Sequence, residues 1–233
     1  MSTTAEDASA YPGSVAERGP VGTHINLGCG PVMADRWINV DGSLRAWLVS
    51  HAWPLDQALV RLGLIPKTAF KPGLTYHNLK KPLPWTDRSI AAIYAGEVWE
   101  HLEYEDARRL TKECFRVLMT GGILRLCVPD GVEFWQRYLA MVHEEQARPS
   151  PERDIARVRA HVQMYYNDIC TRPPRLTSFS HFHKWQYDEL QLTDLMTGCG
   201  FEKVERHVFG VSRMSDIRAV ERSDFLIVEG IKP

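Results

Sequence analysis

The sequence predicts an α/β fold with a mostly parallel sheet of seven strands, an antiparallel strand at its edge and helices on both faces. Short apolar segments alternate with segments whose apolar residues recur at helical spacing, the order typical of parallel sheets. The last two apolar segments are joined by a loop alone, which indicates an antiparallel pair. The predicted strands are THINL, RWINV, GLTYHN, IAAIYAG, ILRLCVPD, FEKVERHV and DFLIVEGI.

The helices between these strands follow from apolar spacing and from glycine and proline positions. From Ser43 to about residue 64 the helical spacing is interrupted by Pro54, which predicts two short helices. EYEDARRLTKECFRVLMTGG is the clearest helix, with the glycine pair 121–122 at its end. Residues 131–170 are predicted to be helical with a break near RPSPE, and YDELQLTDLMTGCG is a helix stopped by glycine.

The composition is that of a globular protein without a strong charge. Of 233 residues, 44% are hydrophobic and 24% charged, with a formal net charge of -1, which gives no general attraction to nucleic acid or anionic membranes. No apolar run approaches the ~18 residues that span a bilayer. Scattered cysteines without a Cys-x-x-Cys motif indicate reduced thiols and a cytoplasmic location; they are Cys29, Cys114, Cys127, Cys170 and Cys199.

We expect one domain over residues 23–233, preceded by a disordered tail over residues 1–22. The tail sequence MSTTAEDASAYPGSVAERGPVG has neither the basic start nor the apolar core of a secretory signal. The remaining length suits a single domain with a full hydrophobic core. The sequence does not indicate an oligomeric state.

A glycine turn and an acidic strand end predict a nucleoside site. INLGCG is followed after six residues by WINVDG, so Gly28 and Gly30 end the first strand and Asp41 ends the second. Glycines allow a ligand to approach the backbone closely, and ligands of open α/β sheets bind outside the carboxyl ends of the strands. Asp41 can accept hydrogen bonds from two ribose hydroxyls. A plain structural turn is the alternative, and the absence of dinucleotide and P-loop motifs disfavours a pyrophosphate ligand.

Further segments in the same order extend this pattern into a family resemblance. INLGCG with its acidic neighbour, NLKKPLPWTDRSIAAIYAGEVWEHL and RVLMTGGILRLCVPD resemble the class I S-adenosylmethionine-dependent methyltransferases. Within that family, the sequence resembles the methyltransferase type 11-like subgroup, in which the spacing between the glycine turn and the aspartate is short. HKWQYDELQLTDLMTGCGFEKV and SRMSDIRAVERSDFLIVEGIKP continue the similarity, which covers residues 23–233.

The resemblance implies a Rossmann-like three-layer sandwich, S-adenosylmethionine as cofactor, and methyl transfer to the hydroxyl of a small molecule or glycan. Nucleic-acid partners and a membrane span are not expected. Two alternatives stay open: a methyltransferase-fold protein that binds the cofactor or a partner without catalysis, and another nucleoside-handling transferase.

The resemblance also implies roles for individual residues at the cofactor. The glycine-turn backbone faces the methionine portion, Asp41 holds the ribose, and Asn78 takes the place of an aspartate that accepts from the adenine amine. A turn-forming asparagine is the alternative for Asn78. Leu79 packs near the adenine, and residues 96–98 line the sulfonium. The complete set is Leu27, Gly28, Cys29, Gly30, Asp41, Asn78, Leu79, Gly96, Glu97 and Val98.

The connection between the first two strands departs from the family pattern. Residues 31–36 are too few for a crossover helix, because a βαβ connection needs roughly 10–12 residues. We therefore expect the first helix to be absent or reduced to one turn. Either Arg36 or the N-terminal tail then completes that side of the site, and the segment 43–73 is an elaboration over the cofactor.

The acceptor side is predicted from residues that can position a hydroxyl or remove its proton. Alignment of donor and acceptor supplies roughly 7–11 kcal/mol, and a base about 10²–10⁴-fold in rate. The aromatic loop 171–187 is too long for a plain connector. His181 and His183 have a metal-like spacing, but no acidic third ligand is evident, so no metal is predicted. The candidates are His101, Asp130, His181, His183 and Tyr187. His101 could instead have a structural role, and Asp130 could instead cap the N-terminus of a helix.

Overall fold

A computed structural model describes residues 22–166 and 182–233. The predicted N-terminal tail, apart from its last residue, and most of the loop 171–187, including His181, lie outside the described residues. None of the described helices is long and apolar enough to cross a membrane.

The described strands form one seven-stranded sheet in the order β3-β2-β1-β4-β5-β7-β6. Neighbours from β3 to β5 are parallel, whereas β7 runs antiparallel to both β5 and β6. The predicted α/β class and the closing antiparallel pair are therefore confirmed. The strands are β1 (His24–Leu27), β2 (Ile38–Asp41), β3 (Thr75–Tyr76), β4 (Ile90–Gly96), β5 (Leu118–Val128), β6 (Glu202–His207) and β7 (Leu226–Ile231).

Helices cover the sheet as the apolar spacing predicts, including two short helices where Pro54 interrupts the pattern. The described helices are α1 (Leu44–His51), α2 (Trp53–Arg61), α3 (Tyr104–Val117), α4 (Gly131–Ala147), α5 (Ile155–Met164) and α6 (Glu189–Thr197). Short 3₁₀ helices span Trp99–His101, Ser150–Glu152 and Ile217–Ala219. Between β1 and β2 the chain forms turns without a helix, which confirms the prediction for this connection.

The prediction that a glycine pair ends α3 was wrong. The helix ends at Val117, and Leu118 already has extended backbone and pairs with Ile90 of β4. The amine of Lys232 donates to the carbonyls of Phe115 and Leu118 at 2.6 and 2.7 Å. A lysine from the last residues of the chain thus satisfies helix-end carbonyls that a glycine cap usually satisfies.

The core lies on both faces of β4 and β5. On one face, Leu110 of α3 and Leu195 of α6 are buried with Leu124 of β5. On the other face, Trp37, Tyr94, Met214, Ile217 and their neighbours form a smaller buried cluster. Successive strand residues point to opposite faces, so α3 and α6 cover one face, and the β1–β2 connection and the 3₁₀ helix Ile217–Ala219 cover the other.

Arg125 of β5 lies at the centre of a buried ionic network. Its Nε donates to Glu221 and its Nη1 to Glu229, both at 2.8 Å, and all three side chains are fully buried. Its remaining donors reach the carbonyls of Val208 and Val211 at 3.0 Å. Since every guanidinium N–H has an acceptor, the network fixes the chain between β6 and β7 against the middle of the sheet.

We predict that Arg125→Met lowers the free energy of unfolding by about 3–5 kcal/mol, because it leaves two buried carboxylates without their cation. Urea unfolding measures this change. The matched control is Arg137→Met, which removes an exposed arginine paired with Glu133 and should cost less than about 1 kcal/mol. Equal unfolding midpoints for the two variants would contradict a structural role for the network.

Candidate functional site

The ends of β1 and β2 form the floor of the site, and two asparagines hold the short connection between them. The amide of Asn26 donates to the carbonyl of Val32 at 2.8 Å and to the side chain of Asn39 at 3.2 Å. Asn39 exchanges hydrogen bonds with the backbone of Ala34 at 3.0–3.1 Å. Buried side-chain hydrogen bonds thus replace the helix that this connection lacks.

The glycine turn follows β1 in left-handed conformation. Gly28 has φ +67° and Gly30 has φ +51°, values that side chains with a Cβ rarely adopt. A Cβ on Gly28 would lie 2.3 Å from Cγ2 of Val98, so the turn packs directly on the loop that follows β4. Leu27 and Cys29 are fully buried, and burial raises the pKa of the Cys29 thiol to about 12. Their side chains therefore form the floor, and the backbone faces the site.

The carboxylate of Asp41 lies beside the same turn. Oδ2 accepts from the amide of Gly30 at 3.1 Å, and Oδ1 accepts from the amide of Ser43 at 2.8 Å. Ser43 in turn caps the N-terminus of α1. A carboxylate has about four acceptor positions, so Asp41 keeps acceptor capacity for a ligand while it fixes the glycine turn.

Asn78 and Leu79 follow β3 at the next strand end. The Asn78 side chain accepts from the amide of Lys80 at 3.0 Å, which is an Asx turn, and Asn78 is exposed. Leu79 packs at the edge of the main core. A Cβ on Gly42 would lie 2.7 Å from the carbonyl oxygen of His77, so the ends of β2 and β3 are in close contact. The cofactor roles of Asn78 and Leu79 stay predictions.

Sequence reasoning missed Arg222, which lies over the glycine turn. Its Nη2 donates to the carbonyls of Gly28 and Gly96, each at 3.0 Å. Its Nη1 would be 2.7 Å from a Cβ on Gly30, so it occupies the space that this glycine leaves open. Arg222 forms no ion pair within 4 Å with any carboxylate of the described part of the chain.

The sequence predicts that Arg36 or the N-terminal tail completes that side of the site. Arg36 is a surface residue, 88% exposed and 3.8 Å from Asp216, and the tail lies outside the described residues. The segment 43–73 contributes α1 and α2. Ala46 and Val49 of α1 are buried against Cys29, with Phe70 partly buried in the same cluster.

The end of β4 forms the wall of the site. Glu97 has φ +59°, and its carboxylate accepts from the hydroxyl of Ser223 at 2.5 Å. A Cβ on Gly96 would be 2.3 Å from the hydroxyl of Tyr94. Tyr94, two residues earlier on the same strand, therefore leaves no space for a side chain at position 96. The residue pair 222–223 therefore binds both the glycine turn and the loop after β4.

His101 and His183, two of the predicted acceptor residues, lie together. Their rings are edge to face with centroids 4.8 Å apart. The backbone amides of Lys184 and Trp185 donate to the carbonyl of Glu100 at 2.7 and 3.2 Å, which holds the segment after residue 181 on the 3₁₀ helix Trp99–His101. The structure thus brings together residues 82 positions apart in sequence (183 − 101).

Glu100 completes this cluster and was missed by the sequence analysis. It is 1% exposed, and neither carboxyl oxygen has a hydrogen-bond partner among the described residues. Burial raises its pKa to about 8. One ligand atom from each of Glu100, His101 and His183 lies within 4.8 Å of the others.

Two of the remaining acceptor candidates, Asp130 and Tyr187, have structural positions. Asp130 caps the N-terminus of α4, accepting from Val132 at 3.0 Å, and pairs with Arg206 at 3.4 Å. Tyr187 is fully buried in the core, its hydroxyl has no described partner, and burial raises its pKa. His181 lies outside the described residues. The acceptor roles of Asp130, His181 and Tyr187 stay predictions.

Comparisons with known proteins bear on the residues that form this site. A family model described as a methyltransferase domain matches residues 25–126, which contain the glycine turn, Asp41 and the 3₁₀ helix. A comparison with curated proteins found no significant match.

Several solved structures have a similar course of the chain. One is a SAM-dependent methyltransferase from Methanosarcina mazei, with 17% identity, coverage of 90% of this chain and 92% of that chain, and a TM-score of 0.49. Another, from Thermotoga maritima, is described as a possible histamine N-methyltransferase, with 16% identity, coverage of 92% and 83%, and a TM-score of 0.46.

We predict that Gly28→Ala destabilises the fold more than Gly63→Ala. Both glycines have a positive φ, of +67° and +70°, but only Gly28 has a neighbour, Val98, within 4 Å of the added Cβ. The shared left-handed strain should cost about 1–2 kcal/mol in each variant, and the clash a further ~1–3 kcal/mol at Gly28. Urea unfolding measures both, and equal losses would show that the turn does not pack on the loop after β4.

Proposed function

Because residues 25–126 match a family model described as a methyltransferase domain, we propose that this chain uses S-adenosylmethionine to methylate a hydroxyl group of a small molecule or glycan. The observation that carries the proposal is the position of two imidazoles and a buried carboxyl group directly after the loop that faces the glycine turn. We further propose that residues 23–233 act as one domain. The described cysteines are free, which supports a cytoplasmic location.

The described residues fit the cofactor. Val98 and Arg222 occupy the space beside Gly28 and Gly30, so the methionine portion would lie against Arg222 at this turn. Asp41 retains acceptor capacity for ribose hydroxyls. Asp41 binds the amide of Gly30 as well, so the residue that would hold the ribose also fixes the turn that would hold the methionine. S-adenosylmethionine would therefore contact Asp41 with its ribose and the glycine turn with its methionine arm, and these two groups are already joined by a hydrogen bond.

Arg222 would bind the carboxylate of that methionine arm. In a full crossover, a helix N-terminus offers backbone amides and a partial positive charge to an anion. This chain lacks the helix, and the guanidinium of Arg222 lies over Gly30 with no described ion-pair partner. A guanidinium binds a carboxylate with charge-assisted, often paired hydrogen bonds, so it supplies the missing recognition.

The reaction is an in-line displacement on carbon. When bound, the cofactor supplies an electrophilic methyl group on its sulfonium. An acceptor oxygen must be held in line with that methyl, and the hydroxyl proton must leave as the new carbon–oxygen bond forms. Glu100, His101 and His183 are the described groups beside the loop after β4 that can lower the cost of removing this proton.

We predict that Arg222→Ala weakens binding of S-adenosylhomocysteine by about 1.5–3 kcal/mol, on the order of tenfold to a hundredfold in Kd, because a charge-assisted pair is lost. Calorimetric titration with 5′-methylthioadenosine separates this effect from damage to the turn. That ligand lacks the amino-acid arm, so its affinity should change little.

Arg36→Ala is the matched control, since it removes an exposed arginine near the same connection, and both affinities should stay at the parental values. An equal loss of affinity for both ligands in Arg222→Ala would mean that Arg222 only supports the backbone of the turn, and it would remove the carboxylate role.

The acceptor class is tested with cofactor that carries a carbon-13 methyl group. We predict that the chain forms S-adenosylhomocysteine with small-molecule or glycan fractions of a cell extract, and that the label appears on oxygen by its carbon-13 chemical shift. His183→Ala should lower turnover by about 10²–10⁴-fold with cofactor affinity unchanged. His143→Ala, an exposed histidine of α4, should behave like the parent. A label found on nitrogen or carbon would overturn the hydroxyl assignment.

A further inference from the structure

We propose that Glu100, His101 and His183 bind a divalent transition-metal ion of the zinc type. One ligand atom from each residue lies within 4.8 Å of the other two. Bonds from zinc to nitrogen and oxygen are about 2.0–2.2 Å long, so small side-chain rotations bring all three atoms to bonding distance. The three residues come from one turn of 3₁₀ helix and from a segment held on that turn.

Glu100 is the strongest indication of a cation site. Both of its carboxyl oxygens are buried without a hydrogen-bond partner among the described residues, and its side chain is 1% exposed. Buried polar groups without partners are rare because each costs free energy. A cation at this position would satisfy the carboxylate.

His101 has the environment of a metal-binding histidine. Its Nδ1 lies 3.1 Å from the carbonyl oxygen of Phe182. A carbonyl only accepts, so Nδ1 carries the proton and Nε2 carries the lone pair. Histidines that bind metals almost always donate their other ring N–H to a carbonyl, carboxylate or water, which fixes this tautomer.

His183 is held beside Glu100 by its own backbone. The amides of the next two residues, Lys184 and Trp185, both donate to the carbonyl of Glu100. The ring of Trp185 contacts that of Tyr104 at the start of α3, with centroids 5.2 Å apart. These contacts hold the backbone next to His183 on the 3₁₀ helix and at the start of α3 without any ion.

The ligand types indicate which ion would bind. Two imidazoles and one carboxylate suit zinc and neighbouring transition metals, whereas magnesium and calcium prefer oxygen ligands. Three protein ligands leave an open position, as in catalytic rather than structural zinc sites. Use of that position for an acceptor oxygen, whose pKa the ion would lower, rests on the proposed function. Ion binding itself does not.

Cobalt(II) is the probe, because its visible absorption reports nitrogen and oxygen ligands at low coordination number. Metal-free protein titrated with cobalt(II) should develop this absorption with one ion per chain, and zinc should abolish it whereas excess magnesium should not. Glu100→Gln and His183→Ala should each weaken binding on the order of tenfold or more. His143→Ala should bind like the parent, since it removes only an exposed imidazole of α4.

Circular dichroism and thermal unfolding confirm that each variant is folded. Glu100→Gln keeps the size of the side chain, so it tests the site even if His183→Ala unfolds. No absorption at one equivalent in the parent, or equal binding in the parent and Glu100→Gln, would overturn the site. Because this titration contains no cofactor or acceptor, its result is independent of the proposed methyl transfer.

Discussion

The buried Arg125 guanidinium is the interaction on which the arrangement of the site depends. It holds Glu221 and Glu229 while binding two carbonyls of the chain between β6 and β7. Glu221 precedes Arg222, so the network fixes the arginine that reaches across the glycine turn. The buried charge of Arg125 thereby sets the position of the Arg222 guanidinium at the carboxyl ends of β1 and β4. Removal of either carboxylate would leave the buried Arg125 guanidinium without part of its neutralisation and would destabilise this network.

The loop after β4 connects the two halves of the site. Val98 packs on Gly28 beside the proposed cofactor position, and two residues later Glu100 begins the cluster proposed for the acceptor. The carbonyl of Gly96 is bound by Arg222, and the carbonyl of Glu100 by the segment that carries His183. One short stretch of backbone is therefore held from both sides. This arrangement suits an in-line displacement, in which donor and acceptor must keep a fixed distance.

Much of the fold was predictable because local patterns and packing agree. The β4 segment IAAIYAG is buried along its whole length, as its continuous apolar run predicts. The absence of a first crossover helix followed from chain length alone. The glycine turn and Asp41 were found because both lie at strand ends close in sequence. By contrast, the end of α3 was misplaced, since the lysine that binds its last carbonyls lies more than a hundred residues away.

Arg222 and Glu100 could not be recognised as site residues from the sequence either, because their informative contacts form only when distant segments pack together. Arg222 is separated from Gly28 by 194 positions, and ERSD contains no motif that marks it. Glu100 lies in WEHL, where a glutamate in a first helical turn is ordinarily exposed. Its significance comes from complete burial without a partner, which only packing shows. Arg222 is bonded to carbonyls but to no described carboxylate, and the carboxyl oxygens of Glu100 have no described hydrogen-bond partner. These observations, rather than any sequence pattern, support the binding roles proposed for them.

The central claim is that Arg222 takes the place of the missing helix in binding the cofactor carboxylate. A crystal structure of the chain with S-adenosylhomocysteine tests it most directly. We expect the ligand carboxylate about 2.7–3.2 Å from the guanidinium nitrogens of Arg222, with the Arg125–Glu221 pair intact. A carboxylate bound by other groups, with Arg222 still bonded only to the carbonyls of Gly28 and Gly96, would contradict the account.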